Sequence, residues 1–309
     1  MKVLITGCKG FVGSHLCTEF ETNGYEVVKC DIVEETDIIS LNILDQPQIQ
    51  RVLNDFRPDF LINMAGQANV GLSWERPQFT MELNTIGFIN IMEAVKAVDR
   101  KIRVIAIGSS DEYGSLKEIG TNVREDVLVK PITPYAISKL TQELFAQLYV
   151  NIYGMDVCMT RLFNLGGAGQ TRGYMISDFS AGIAEVESGY KSFIAVGNLN
   201  SARDFTHVKD ACRAVRFIVE KGRTGEIYNI CSGLTYTAQE ILNKLLNMAK
   251  IRIPIQVDPL KMRPSDTPVI CGNHDKLTAH TGWHPEIGLD EILKDALCYW
   301  RGQFLNNEG

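Results

Sequence analysis

The sequence predicts an α/β fold, a doubly wound parallel sheet followed by a smaller C-terminal lobe. Three observations carry this. Short β-rich runs alternate with helical stretches through the first half of the chain. The runs are almost unbroken in apolar residues, as strands covered on both faces must be. The first run ends in Gly7-Cys8-Lys9-Gly10-Phe11-Val12-Gly13, a glycine-rich turn that leads directly into a helix.

The candidate strands are residues 2–6, 26–32, 60–64, 103–107 and 156–163. Between them lie helical stretches at 11–23, stopped by Gly24, at 46–56, at 79–98 and at 134–153, stopped by Gly154. This alternation implies right-handed βαβ units. After Asn164 the texture changes. Residues 165–173 read as a glycine-rich loop, 175–188 as a helix, 208–220 as a helix and 227–231 as a strand. Helices at 238–249 and 289–300 flank a proline-rich stretch at 254–268. The expected division is a Rossmann-type domain of residues 1–165 plus 206–230, and a lobe of 166–205 plus 231–309.

With 309 residues, 45% apolar and 22% charged, the chain suits an ordinary globular protein. A formal net charge of -6 argues against nucleic acid and anionic membranes as partners, because both select basic patches. An anionic small ligand held by local arginines stays open. No run approaches the roughly 20 apolar residues of a membrane span. Met1-Lys2 leads straight into Val3-Leu4-Ile5 and a turn, unlike a signal peptide. The eight cysteines are scattered without a C-x-x-C, so reduced thiols in the cytoplasm are expected, with neither a metal site nor a disulfide framework.

Gly7 allows the sharp turn after the strand, Gly10 lets the backbone approach a pyrophosphate, and Gly13 lets the helix pack closely. The free N–H groups of the first helical turn then face the phosphates. With Phe11 and Val12 these glycines form the expected cradle of a dinucleotide. Asp31 closes the second strand, where a carboxylate accepts from ribose hydroxyls and repels a 2′-phosphate, which favours NAD(H). Lys9 and Lys29 are near enough in sequence to leave NADP(H) possible.

Ser109-Ser110 closes a later strand, and Tyr135-Ala136-Ile137-Ser138-Lys139 follows Pro134. A phenol with a pKa of about 10 is a poor base at neutral pH, but a nearby ammonium favours its ionised form. Lys139 is one helical turn after Tyr135 and shares its face. A serine hydroxyl from a strand end can hold a substrate oxygen beside the phenol. Together these groups can move a proton at a carbon that exchanges a hydride with a nicotinamide.

The glycine turn, Ser109-Ser110 and Tyr135 through Lys139 resemble the extended short-chain dehydrogenase/reductase family of sugar-nucleotide enzymes. So do Asn63-Met64-Ala65-Gly66-Gln67, at its H-x-A-A turn beside the nicotinamide ribose, and Asn84-Thr85-Ile86-Gly87, at its N-x-x-G helix start. Arg161-Leu162-Phe163-Asn164 and Arg203-Asp204-Phe205-Thr206-His207-Val208 complete the likeness. Gly108 to Gly114, Ser177-Asp178-Phe179, Val196-Gly197-Asn198-Leu199, Arg263-Pro264-Ser265-Asp266 and Gly282 to Ile287 are similar to the GDP-4-dehydro-6-deoxy-mannose reductase subfamily.

The resemblance implies catalysis by Ser110, Tyr135 and Lys139, with Ser109 in reserve. It implies cofactor contacts at Met64, Ala65 and Gly66, and near the adenine at Asn42 and Ile43. Asn42 stands where an Asp is common, and Asn63 and Gly66 replace the usual His and second Ala. Substrate contacts are implied for Ser110, Asp111, Glu112, Asn164, Arg203 and Arg263, with the arginines suited to a pyrophosphate. His207 is placed to touch a substrate, though a structural role is the commoner one for such a residue, and Trp283 is expected to be a packing residue of the lobe.

The expected activity is reduction of a 4-keto nucleotide sugar with NAD(P)H. The alternative is a redox-neutral 4,6-dehydratase or 4-epimerase, for which Asp111-Glu112 resembles an acid and base pair. The segment is one residue shorter than the usual T-D-E-V-Y-G. An intact Ser, Tyr and Lys set argues against a non-catalytic nucleotide sensor. Family members dimerise through a four-helix bundle, here residues 79–98 and 134–153 of each subunit.

Overall fold

The computed structural model describes residues 1–98, 100–114, 122–259 and 269–305. The first half runs β1 (Lys2–Thr6), α1 (Phe11–Thr22), β2 (Glu26–Asp31), β3 (Ile39–Ser40), α2 (Gln46–Phe56), β4 (Phe60–Asn63), α3 (Val70–Glu75), α4 (Pro77–Met81), a π-helical turn (Glu82–Ile86), α5 (Gly87–Ala97), β5 (Arg103–Ser109), a 3-10 turn (Ser110–Tyr113) and α6 (Pro134–Tyr153). Then come β6 (Val157–Leu162), β7 (Asn164–Gly166), α7 (Met175–Glu187), β8 (Ile194–Val196), β9 (Ala202–His207), α8 (Val208–Lys221), β10 (Ile227–Ile230), β11 (Thr235–Thr237), α9 (Ala238–Asn247), β12 (Ile255–Val257), β13 (Val269–Ile270), α10 (Asp275–Thr281) and α11 (Leu289–Leu305).

Among the described residues, seven strands form a parallel sheet in the order β3-β2-β1-β4-β5-β6-β10. The chain builds outward from β1 in one direction, then returns and builds outward in the other. The crevice at the carboxyl ends of β1 and β4 is therefore the switch point, where such sheets bind ligands. One face packs on α1 and α8 through Val3, Ile5, Leu16, Phe20, Val215 and Ile218. The other packs on α2, α5 and α6 through Leu4, Leu61, Ile91, Met92 and Ala146.

Local chemistry accounts for the helix ends. Asp45 caps α2 by accepting the Gln48 N–H at 2.9 Å, and Thr133 caps α6 by accepting the Ala136 N–H at 3.0 Å. Pro134 opens α6, and Gly154 closes it with a positive φ of 64°.

The lobe has its own core, built by α7, α9 and α11 around Ile183, Ile241, Ile292 and Leu293. Two boundaries differ from expectation. Residues 206–207 belong to β9, which pairs with β11, β13 and β7 in a small sheet apart from the large one. The stretch from α10 to Trp283, expected in the lobe, packs with α8 on the large sheet's core. The reason is the fully buried Trp283, whose indole N–H donates to the Asp210 carbonyl at 3.1 Å.

Candidate active site

The turn after β1 closes as a cradle with no room for side chains. Gly7 has φ of 65°, and a Cβ there would stand 2.8 Å from the Ala65 nitrogen and 2.9 Å from the Met64 carbonyl carbon. The first turn thus touches the turn after β4, bringing Gly7 together with Met64 and Ala65. A Cβ on Gly13 would lie 2.1 Å from the Gly7 oxygen, so the tight packing is between helix and turn. Gly10 caps α1 without a side chain, leaving the first-turn N–H groups for an anion. Phe11 and Val12 open that helix. The loop after β7 closes over it, with Ala168 offering its carbonyl to the His15 ring at 2.9 Å. These residues fit a dinucleotide pyrophosphate.

Asp31 ends β2 beside this cradle. Its Oδ2 accepts the Lys9 N–H at 2.9 Å and its Oδ1 accepts the Ile32 N–H at 2.8 Å. The Lys9 ammonium pairs with Glu35, and that of Lys29 with Glu21 and Asp37. Asn42 accepts the Leu44 N–H at 3.0 Å. Ile43 is buried, with its Cδ1 packed where a Cβ on Gly87 would be.

Asn63, which replaces the family His, is structural. It accepts the Thr6 hydroxyl at 2.7 Å, and that hydroxyl accepts the Ala65 N–H at 3.1 Å, tying β1 to β4. Gly66 is explained by Asn84, whose Oδ1 would stand 2.7 Å from a Cβ there. Asn84 lies in the π-helical turn that divides the helix expected at 79–98. Its amide donates to the Gln67 carbonyl and to the Ser138 hydroxyl, each at 2.9 Å, while its Oδ1 accepts the Gln67 N–H at 2.8 Å. A π-turn at a functional site is a recurring device. Here it turns one side chain toward both the turn after β4 and α6.

The catalytic candidates meet where β5 and α6 converge. Tyr135 and Lys139 are buried on the inner face of α6. The Ser109 side chain neighbours the Tyr135 phenol, and its hydroxyl accepts the Asp111 N–H at 3.2 Å. Ser110, the expected catalytic serine, opens the following 3-10 turn and is buried, as Ser109 is. Burial, then the Asp111 carboxylate, pushes the phenol above its ordinary range, against a lowering by Ser109. The Lys139 ammonium donates to the Ile107 carbonyl at 2.8 Å, and burial brings its pKa down to about 8.

Asp111 and Glu112 part company. Asp111 stays close enough to Tyr135 and Tyr174 to push both phenols up. Glu112 is fully buried beneath the site, not on its surface, and its Oε1 accepts the Ser109 N–H at 2.7 Å. Substrate contact is therefore closed to it. Tyr174, which caps α7, is a site neighbour that sequence motifs do not flag. Glu143 is another missed residue. Its one-turn spacing after Lys139 was the available signal, and it takes both arms of Arg161 at 2.9 and 2.7 Å.

On the lobe side, the Asn164 amide reaches the Asp204 carbonyl at 3.5 Å, and Arg203 on β9 donates to the Ala202 carbonyl at 2.9 Å. Arg263 lies outside the described residues. His207 is structural, accepting the Lys209 N–H and pairing with Asp295.

Fold and site together define an enzyme of the extended short-chain dehydrogenase/reductase class. The family model for GDP-mannose 4,6 dehydratase matches residues 4–296, and the chain belongs to that family. It is 29% identical to the GDP-6-deoxy-D-mannose reductase of Pseudomonas aeruginosa over 98% of each chain. The structure of RMD from Pseudomonas aeruginosa complexed with NADPH matches with a TM-score of 0.89 at 28% identity, covering 98% of this chain and 99% of that one. A UDP-glucose 4-epimerase from Thermus thermophilus, in complex with NAD, matches with a TM-score of 0.87 at 25% identity over 98% and 99%.

Proposed function

We propose that this enzyme reduces the 4-keto group of a nucleotide-diphosphate 6-deoxy sugar, with GDP-4-dehydro-6-deoxy-D-mannose as the substrate. The observation that carries the reading is Tyr135, a buried phenol beside Ser109 with Lys139 one turn further along the same face of α6. A reductase needs such a proton donor, because its ketone oxygen must receive a proton as the carbon receives a hydride. The nicotinamide cofactor supplies that hydride when bound over the glycine cradle. Ser109 holds the ketone oxygen, Tyr135 gives it the proton, and Lys139 presents an ammonium one turn further on. Arg203 and Arg263, with Asn164, are assigned to the sugar nucleotide.

NAD(H) is the proposed cofactor. Asp31 accepts from ribose hydroxyls, and both lysines that left NADP(H) open are paired with carboxylates. The Pseudomonas relative is complexed with NADPH, so the two cofactors are to be compared directly. The working unit is proposed to be a homodimer through α5 and α6.

Asp111, beside Tyr135, keeps a redox-neutral dehydratase or epimerase as the second reading. Its acid and base pair is not intact, since Glu112 is buried. The test is loss of NADH or NADPH absorbance when purified protein meets the 4-keto substrate made in situ. Stoichiometric loss supports the reductase. Conversion of GDP-mannose or UDP-glucose without added cofactor, and no loss with the ketone, supports the alternative.

A further inference from the structure

Beneath Ser109 lies a buried ionic group that the proposed chemistry leaves unused. Glu112 turns its Oε1 to the Ser109 N–H. Its Oε2 has no hydrogen-bond partner, and the Arg161 Nε stands 3.6 Å away. The Arg161 fork is directed at Glu143, and its Nη1 donates to the Glu125 carbonyl at 3.1 Å. Glu143 and Glu112 thus converge on the same Arg161 Nε, at 2.9 and 3.6 Å, and both are buried. Two carboxylates gathered on one guanidinium away from water do not both stay charged, and a guanidinium already forked onto one of them does not neutralise the other.

We propose that Glu112 is a neutral carboxylic acid, its Oε2–H donating to Glu143 while its Oε1 accepts the Ser109 amide, and that it is thereby a positioning residue for the Ser109 hydroxyl. The assignment converts an orphaned buried oxygen into a donor with a neighbouring acceptor. Burial and the Glu143 charge hold the carboxyl well above its ordinary range, in the same direction. The groups facing Glu112 are Tyr135, Lys139 and Glu143 from α6, Arg161 from β6, and Asp111 beside it in the turn. Lys139 and Arg161 favour an ionised Glu112, but each already has an acceptor, the Ile107 carbonyl and Glu143 respectively. The backbone above closes tightly on the acid, since a Cβ on Gly108 would stand 2.6 Å from Glu112 Oε1 and 2.4 Å from the Thr160 oxygen. The Ser109 amide is thus held from below while its side chain neighbours Tyr135.

The protonation state does not depend on the reductase reading, whereas the positioning role rests on it. Carbon NMR of the purified parent with carboxyl-labelled glutamate tests the first. The expected result is one glutamate carboxyl still protonated at neutral pH, whose signal Glu112→Gln removes. Ionisation of every glutamate carboxyl at neutral pH overturns the proposal whatever the enzyme's substrate. For the second, Glu112→Leu removes both hydrogen bonds and should lower kcat at least ~10-fold with the KM for cofactor held. Glu112→Gln, which keeps an acceptor for Ser109 and a donor for Glu143, should rescue kcat to within about threefold of the parent. A glutamine variant as slow as the leucine variant, or a leucine variant at parental kcat, overturns the positioning role.

Discussion

Ser109 and Ser110 are neighbours whose substitution separates their work. Ser109→Ala removes the hydroxyl beside the Tyr135 phenol and should lower kcat by roughly 10²-fold, while Ser110→Ala should cost less than about tenfold. Equal losses would move the role back to Ser110. Tyr135→Phe should leave the fold and the glycine cradle intact and remove the proposed proton donor. Steady-state kinetics should show a loss of roughly 10²–10⁴-fold in kcat, with cofactor affinity by fluorescence titration little changed. Lys139 gives a prediction about pH. Its ordinary value of 10.5 falls to about 8 in the native protein because burial penalises the charge. Between those values the unfolded chain holds more protons than the native one, so this group's contribution to stability rises with pH across that window. Below it the buried ammonium opposes folding in full. Lys139→Met should therefore stabilise the protein at neutral pH, by about 1–2 kcal/mol in urea titrations, while abolishing turnover. The Ile107 carbonyl would keep its bond from Gln142. A variant less stable than the parent at neutral pH would refute the sign.

Among the elements, the π-helical turn at Glu82–Ile86 links the turn after β4 to α6. Asn84→Ala would leave the Gln67 N–H and carbonyl without their buried partner. Urea unfolding should show a loss of about 2–3 kcal/mol, accompanied by weaker cofactor binding. Full stability would mean that the clamp is replaceable. The sequence pattern places a helix here but not the π-turn, because apolar periodicity reports a buried face and is blind to one inserted residue. The parallel strands and the glycine cradle were legible for a physical reason. Two-sided burial demands apolar runs, and a backbone that must touch both a second turn and a phosphate demands glycine. The trio was legible in part. The spacing of Tyr135 and Lys139 reports a shared helical face, but adjacent serines at a strand end point to opposite sides, and only the observed turn selects Ser109. Glu112 was misplaced for the same reason. In Asp111-Glu112 the composition suggests an exposed acidic pair, whereas the 3-10 turn sends the second carboxylate into the core. Trp283 was assigned to the lobe by its position in the chain, while its burial against α8 depends on a contact no local pattern records.

At the scale of the whole molecule, α6 presents two faces, one buried in the chain and one apolar and exposed. The inner face carries Tyr135, Ser138, Lys139, Gln142, Glu143, Ala146 and Tyr149, all buried. The outer face carries Ile137, Leu144, Leu148 and Ile152, exposed at 46%, 54%, 44% and 70%. Their spacing of seven, four and four residues keeps them on one stripe. Ile86, from the π-turn packed against α6, adds to it at 49%. A contiguous apolar stripe of this kind on a helix favours association, and a two-fold copy of the same stripe is its simplest complement. The reading thus joins the site to the assembly, because the helix that would meet its partner is the one that carries Tyr135 and Lys139. Leu144→Glu combined with Leu148→Glu places four like charges across a two-fold interface and should convert a dimer to a monomer in sedimentation velocity. Each chain holds Ser109, Tyr135 and Lys139 complete, so the monomer should keep measurable turnover. It should also melt at a lower temperature, since α6 loses the cover on its outer face. A parent that sediments as a monomer would remove the dimer. A charged variant that stays dimeric would place the interface elsewhere.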